Sequence, residues 1–423
     1  MTVDNFLKAN KLRAEDVDIH DLVSVFLEEM EHGLTGNQSS LRMIPTYIEA
    51  ENEFLKDTPV LAIDAGGTNF RAALITFGSN EKVRSGDVAM FIMPGIDREV
   101  SASQFFETMA GYVVKLAEKT DRIGFCFSYP TKILPDRDGI LLQFCKEIQA
   151  PEVVGKLIGK SLLETLGTPS KKIVLLNDTV ATLLAGKSAS NGKKYDSYIG
   201  YILGTGTNTC YIEQNINISK NPELDSSATQ IINVESGNFG RAPRSALDIQ
   251  FDSTTADPGK YTFEKMFAGG YFGGLCLTVL KSAALEGIFS ESAREKVMAI
   301  KDLTTEESNE FIKGKDGRLK AVFQNDNDSK SSGRIIDCLI DRAACLAAAN
   351  IASVVLKSGK GKDPEYPILI TIEGTVFYRL HNLKGRFEEY LTDYLAGERK
   401  RFFEFTEVKN SSLLGAALAG LID

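Results

Sequence analysis

The chain has no tryptophan and only three histidines, His20, His32 and His381, among its 423 residues. So few imidazoles leave little room for a histidine base or a zinc site, and no HExxH pattern occurs. Acid–base chemistry therefore falls to carboxylates. The six cysteines, Cys126, Cys145, Cys210, Cys276, Cys338 and Cys345, lie scattered in mostly apolar surroundings without a CxxC pair. They read as reduced core residues rather than as a disulfide or zinc framework. Positive charge is short as well: 48 Lys and Arg face 57 Asp and Glu, a net charge of −9. That balance argues against nucleic acid or an anionic membrane as a partner, since both are held by clustered cations. No apolar run approaches the ~18 residues of a membrane span, and MTVDNFLKANKLRAEDVD lacks the apolar stretch of a signal peptide. A cytoplasmic protein is expected. Apolar residues are not scarce: at 43% over this length they can fill two domain cores.

Residues 21–34 place Leu22, Val25, Phe26 and Met30 at helical spacing, with Gly33 as the stop. From Pro59 the pattern becomes strand, turn, strand: VLAID, AGGTN, FRAALITF, with Gly66 and Gly67 permitting a tight turn. Strands are expected at residues 123–127 and 173–176, the second running into a helix capped near Asp178. A second strand-turn-strand follows in SYIGYILGTGTNTCYIE, and Gly206-Thr207-Asn208 matches Gly67-Thr68-Asn69 with apolar strand against apolar strand. The chain reads as internally duplicated. Residues 325–333 and 359–364, polar and glycine-containing, read as surface loops.

Glycine-rich hairpin turns expose successive backbone N–H groups, and such concave clusters bind phosphate without net positive charge. This reconciles an acidic chain with an anionic ligand. GKLIGKS at residues 155–161 resembles a P-loop but has three residues between its glycines where four are needed. The dinucleotide pattern GxGxxG is missing from the first strand-turn. Among carboxylates, Asp178 is the best candidate for acid–base work, because it ends an apolar strand where a helix starts; a simple N-cap is the alternative.

With LAIDAGGTNFR, FSYP, GILLQFCK, LLNDTVAT, LGTGTNTCY, INVESGNFG, FEKMFAGGYFG and ITIEGTVFYRL in this order, preceded by FLEEMEHGL and MIPTY, the sequence resembles the hexokinases of the actin-like ATPase fold. The match runs from about Asp21 to the carboxyl terminus and covers a single kinase unit. It implies two actin-like α/β domains around a cleft, and transfer of a phosphoryl group from ATP to the 6-hydroxyl of a hexose, glucose above all, as the first step of glycolysis.

By that resemblance Gly66, Gly67, Thr68, Asn69 and Arg71 belong to the first phosphate segment and Gly204, Thr205, Gly206 and Thr207 to the second, while Gly374, Thr375, Ser412 and Gly415 match the adenosine end. Asp64 is expected to hold Mg²⁺ through water, since Mg²⁺ keeps part of its hydration shell and leans on nucleotide phosphates; hydrogen bonding to its own turn is the alternative. Arg71 steadies the loop or the phosphates, or is a solvated strand residue. Asp178 matches the general base and Lys146 stands with it as catalytic. Ser128, Cys145, Lys146, Asn177, Asn208, Glu235 and Glu264 match the sugar pocket, although Glu235 and Glu264 taken singly read as surface charges.

The family usually has Thr where this chain has Cys145, an aromatic at Ser236 and Gly at Ser411. The cysteine-rich zinc motif and histidine of the related repressor-kinase family are missing. A silent sugar sensor on the same fold and a sugar-independent actin-like or chaperone ATPase are the remaining rivals. The expected division is an N-terminal helical segment, 1–52, packed on the large domain; a small domain, 53–194 plus 410–423; and a large domain, 195–409. The partners expected are the hexose and ATP, with the chain a monomer or homodimer.

Overall fold

Two mixed sheets carry the chain in a computed structural model that describes residues 1–49, 53–79, 83–144, 148–190 and 192–422. The first contains β1 (Pro59–Gly66), β2 (Asn69–Phe77), β3 (Val83–Ser85), β4 (Ala89–Ile92), β5 (Arg122–Phe127) and β6 (Lys172–Leu176). Its order is β3-β2-β1-β5-β6, with β4 also paired to β2. The second contains β7 (Ser197–Leu203), β8 (Thr207–Gln214), β9 (Thr229–Asn233), β10 (Ile368–Glu373) and β11 (Phe403–Thr406). Its order is β9-β8-β7-β10-β11, extended beyond β9 by the short strand Ile44–Pro45. In the first sheet β1 pairs antiparallel with β2 and parallel with β5, which pairs parallel with β6; in the second β7 pairs antiparallel with β8 and parallel with β10, which pairs parallel with β11. The duplication read from two glycine turns thus extends to the whole sheet order. The expected strands at 123–127 and 173–176 each begin one residue earlier, at Arg122 and Lys172.

Four helices matter for the site: α1 (Ile19–Thr35), α2 (Asp178–Ser188), α3 (Asp326–Ser358) and α4 (Ser411–Leu421). α2 follows the last strand of the first sheet and α4 the last strand of the second, so they are equivalent elements of the duplication. They pack on each other, α2 also against β7 and β10, and α4 also against β1 and β5. One buried apolar cluster between the sheets joins Val60, Ala62, Val174, Val180, Leu183, Cys210, Leu413 and Ala417. The contact is close enough to need glycine. A Cβ on Gly124 of β5 would lie 1.7 Å from the Ala416 carbonyl oxygen, and one on Gly415 1.9 Å from that of Ala181. Methyl groups there would force the helices off the sheet.

Two expectations are corrected, and the N-cap alternative for Asp178 is set aside. α1 does not stop at Gly33 but continues to Gly36, whose φ of 80° closes the helix in the left-handed conformation. Gly33 lies inside the helix because a Cβ there would meet the Leu41 carbonyl oxygen at 2.5 Å. Residues 325–333 are not a loop. Asn325 caps α3 by accepting from the Asp328 N–H at 2.8 Å, and Asp328 accepts from the Ser290 N–H at 2.9 Å, so the polar run is the first two turns of a 33-residue helix. The cap at the start of α2 is Asn177, which accepts from the Thr179 N–H at 2.8 Å, and Asp178 is already the first helical residue.

α3 is long and apolar enough to cross a membrane, yet 89% of its apolar window is buried within the fold. It forms the spine of the second half's core, packed against α1, β7 and β8. Cys126, Cys210, Cys276, Cys338 and Cys345 are buried free thiols, as expected; Cys145 lies outside the described residues.

Candidate active site

The first glycine turn joins β1 to β2, with Gly66 paired to Asn69 and Gly67 at φ 58°. Gly67, Thr68 and Asn69 are exposed at its tip. The turn is held from below: the Tyr129 hydroxyl donates to the Gly67 carbonyl at 2.8 Å and the Met93 N–H to that of Thr68 at 3.0 Å. Ser128, at the end of β5, lies against Gly66, where a Cβ would come within 3.0 Å of the serine Cβ.

Asp64 sits opposite Arg71 in the β1–β2 register and forms an ion pair with it. Arg71 donates from Nε at 2.9 Å and also from Nη2; the Ser412 hydroxyl donates to the same carboxylate oxygen at 3.1 Å. Arg71 is therefore not a solvated strand residue, and its Nη2 also reaches Ser412 Oγ at 2.9 Å. Ser412, expected at the adenosine end, is bonded to Asp64 and Arg71 and ties α4 to β1 and β2. Gly415 is buried where α4 crosses α2, which accounts for its lack of a side chain by packing.

The second turn, Gly204-Thr205-Gly206, joins β7 to β8 and is braced by N–H donation from Gly269 to the Gly204 carbonyl and from Gly270 to that of Thr205, both at 2.8 Å. Thr205 is exposed. Thr207 points inward, its hydroxyl donating to the Ile202 carbonyl at 2.9 Å and its N–H to Glu264 Oε2 at 3.1 Å. Gly374 leaves β10 at φ 128° so close to β7 that a Cβ would lie 2.2 Å from the Leu203 carbonyl oxygen. Gly374 and Thr375 are thereby set beside the second turn.

Between the two turns the carboxylates and amides converge. Asn208, early in β8, donates to Asn233 Oδ1 at 2.8 Å and lies 3.4 Å from both Asn177 Oδ1 and Glu235 Oε1. Asn233 in turn donates to Glu235 Oε1 at 2.8 Å. Glu235 occupies the left-handed region at φ 61°, a strained setting for a residue with a side chain and one that clusters at functional sites. Glu264 fits a notch between Gly206 and Gly237, where a Cβ on either glycine would come within 2.8 Å of its Oε2. Burial, then the charge of Glu235, pushes the Glu264 carboxyl up to about 7 against the opposing N–H of Thr207.

Asp178 opens α2, its carboxylate accepting from the Thr179 N–H at 2.8 Å. Its pKa is also raised to about 7, first by burial and then by the charge of Glu373, with smaller contributions from Asp64 and Glu235. Glu373, at the end of β10, was not foreseen. It accepts from Ser411 and, at 3.3 Å, from Thr182, whose hydroxyl also reaches the Asp178 carbonyl at 2.9 Å. Burial raises the Glu373 carboxyl as well. Its place beside Asp178 follows from the parallel pairing of β10 with β7, and the adjoining Gly374 was the available signal. Asn233, also unforeseen, stands two residues before Glu235 in the quoted INVESGNFG. Ser236 is buried and shares hydrogen bonds with Thr209 and Asn350.

The structure thus brings Asn177, Asn208 and Glu235 into contact, with Asp178 and Glu264 alongside, and sets Asp64, Arg71 and Ser412 as a second group. Cys145 and Lys146 lie outside the described residues. Among the described residues no cluster of three metal-ligating side chains occurs. A single buried carboxylate is what a Mg²⁺ ion held mainly by water and nucleotide phosphates asks of the protein, so Asp64 fits such an ion.

Two family models, both described as hexokinase, match residues 2–188 and 198–422. Hexokinase-9 of Oryza sativa subsp. japonica is 28% identical over 433 residues, covering 95% of this chain and 86% of the relative. Among solved structures, the hexokinase of Schistosoma mansoni complexed with glucose superposes with a TM-score of 0.78 at 22% identity and full coverage of both chains. A second hexokinase crystal structure gives 0.80 at 24% identity, covering 99% of this chain and 98% of its own. The fold is the expected pair of actin-like α/β units.

Proposed function

This chain belongs to the hexokinase family, and we propose that it transfers the γ-phosphoryl group of ATP to the 6-hydroxyl of glucose, giving glucose 6-phosphate and ADP as the first step of glycolysis in the cytoplasm. The observation that carries the reading is the meeting of Asn177, Asn208 and Glu235 beside Asp178. A polyol needs a ring of partners of this kind, since each buried hydroxyl left unpaired costs ~1–3 kcal/mol.

In this reading the residues divide into two walls. The small domain, 53–194 plus 410–423, supplies Asp64, the first turn, Ser128, Lys146 and Asp178; the large domain, 195–409 with 1–52 packed on it, supplies the second turn, Asn208, Glu235, Glu264 and the Gly374–Thr375 step. The exposed N–H groups of the glycine turns receive the phosphates. Asp64 would hold Mg²⁺ through water, where the ion neutralises phosphate charge. Asp178, ionised, accepts the proton of the 6-hydroxyl as the phosphoryl group moves. Phosphoryl transfer is largely positioning and electrostatics, so a carboxylate titrating near neutrality suffices. Closing the walls over the sugar excludes water, a competing nucleophile.

The test is ADP release with ATP, Mg²⁺ and a panel of glucose, mannose, fructose and glucosamine. The reading expects turnover that depends on hexose and is highest in kcat/KM for glucose. ATP turnover independent of sugar, or none with any hexose, would overturn it.

A further inference from the structure

We propose that Gln143 and Tyr261 form a latch across the mouth of the cleft that holds the two sugar-binding walls together and sets how readily they close; the inference deepens the kinase reading and rests on it. Gln143 Nε2 donates to the Tyr261 hydroxyl at 3.2 Å. The two residues belong to opposite walls. Gln143 follows the strand Gly139–Leu141, in a stretch anchored by the Leu142 N–H on the Pro130 carbonyl at 2.9 Å. Tyr261 stands three residues before Glu264, and its carbonyl accepts from the Lys265 N–H at 3.1 Å.

Tyr261 is held in the left-handed region at φ 52°, which a bulky aromatic adopts only when its surroundings impose it. The surroundings are rigid. Asp252 accepts from the Gly259 N–H at 3.0 Å and from the buried Lys265 ammonium at 2.6 Å, and that ammonium also donates to the Asp257 carbonyl at 2.6 Å. Both ends of the turn are thus pinned to one carboxylate while the phenol reaches outward. The charged groups acting on it are Arg42, Glu235 and Glu264, so it stands at the rim of the sugar wall itself. A hydrogen bond between walls exists only when they are near each other, so it favours the closed arrangement by its own net strength. For one neutral bond that is about a two- to tenfold shift in the closing equilibrium.

Tyr261→Phe removes the hydroxyl and keeps the ring; Gln143→Ala removes the donor. The full-length chain and both single variants and the double variant are compared in two ways. In small-angle scattering without any ligand, each single variant should have a larger radius of gyration than the wild type. In steady-state assays each should raise the KM for glucose about threefold, change kcat by less than twofold, and the double variant should be no worse than either single one, as a double-mutant cycle requires of partners. Sugar-free scattering curves identical to wild type, or KM effects that multiply in the double variant, would overturn the latch. Should the wild type show no hexose-dependent turnover, the kinase reading falls, while sugar-free scattering still decides the latch.

Discussion

Asn233 donates its side-chain N–H to Glu235 Oε1 at 2.8 Å across two residues of chain. Asn233 ends a regular strand, β9, and Glu235 has left it through a left-handed step at φ 61°. The amide fixes one carboxylate oxygen, while the other accepts from the Asn238 side chain at 3.5 Å. We expect Asn233→Ala to raise the KM for glucose about tenfold with little change in kcat, because one hydrogen bond to a charged group is worth ~1.5–3 kcal/mol at most. A KM within twofold of wild type would show that Glu235 is held by its backbone instead.

Asp178→Ala should leave sugar binding within about tenfold and lower kcat by ~10²–10⁴, the usual contribution of a positioned base. Binding measured by calorimetry separates the two effects. Turnover within threefold of wild type would remove Asp178 from the chemistry.

The raised pKa of Asp178 makes two linked predictions. The base acts ionised, so kcat/KM should climb with pH and level off above about 7, and Asp178→Asn should abolish that limb along with most activity. Stability runs the other way. In the unfolded chain the carboxyl loses its proton near ~4, in the folded chain near 7, so between these values the folded chain binds more protons and loses stability as pH rises. Asp178→Asn is then more stable than wild type at pH 8, by ~1–3 kcal/mol, and the gain disappears below pH ~4. Denaturant unfolding at pH 8 and pH 4 checks the sign, and an equal difference at both would contradict it.

Gly124→Ala tests the packing of α4 on the first sheet. The added methyl would sit 1.7 Å from the Ala416 carbonyl oxygen, a backbone atom that cannot swing aside. Destabilisation of ~3 kcal/mol or more is expected, at or beyond the upper end for overpacking. A melting temperature unchanged within a degree would show that α4 is free to shift.

Local chemistry made much of this readable. Two glycine-containing turns, each after an apolar strand, announced both hairpins and the duplicated sheets; a carboxylate at a strand end announced the helix start at Asp178. Roles that depend on tertiary pairing were not readable. Glu373 comes beside Asp178 only because β10 lies parallel to β7, and Ser412 comes beside Asp64 only because α4 returns from the far end of the chain onto β1. The polar run 325–333 reads as a loop although it opens α3: its cap, Asn325, is local, but the other partner of Asp328, Ser290, lies 38 residues away. Gly33 reads as a helix stop because close packing and chain termination both select glycine, and sequence spacing alone does not separate them.

The central claim is that Asp178 directs phosphoryl transfer to one hydroxyl of a hexose held between two walls. It is tested most directly by ³¹P and ¹³C NMR of the product formed from ATP and labelled glucose, run beside 6-deoxyglucose. The account predicts phosphate on carbon 6 alone, no phosphorylated sugar from the 6-deoxy compound, and loss of the product signal in Asp178→Asn. Phosphate at another carbon, or transfer to 6-deoxyglucose, would contradict it.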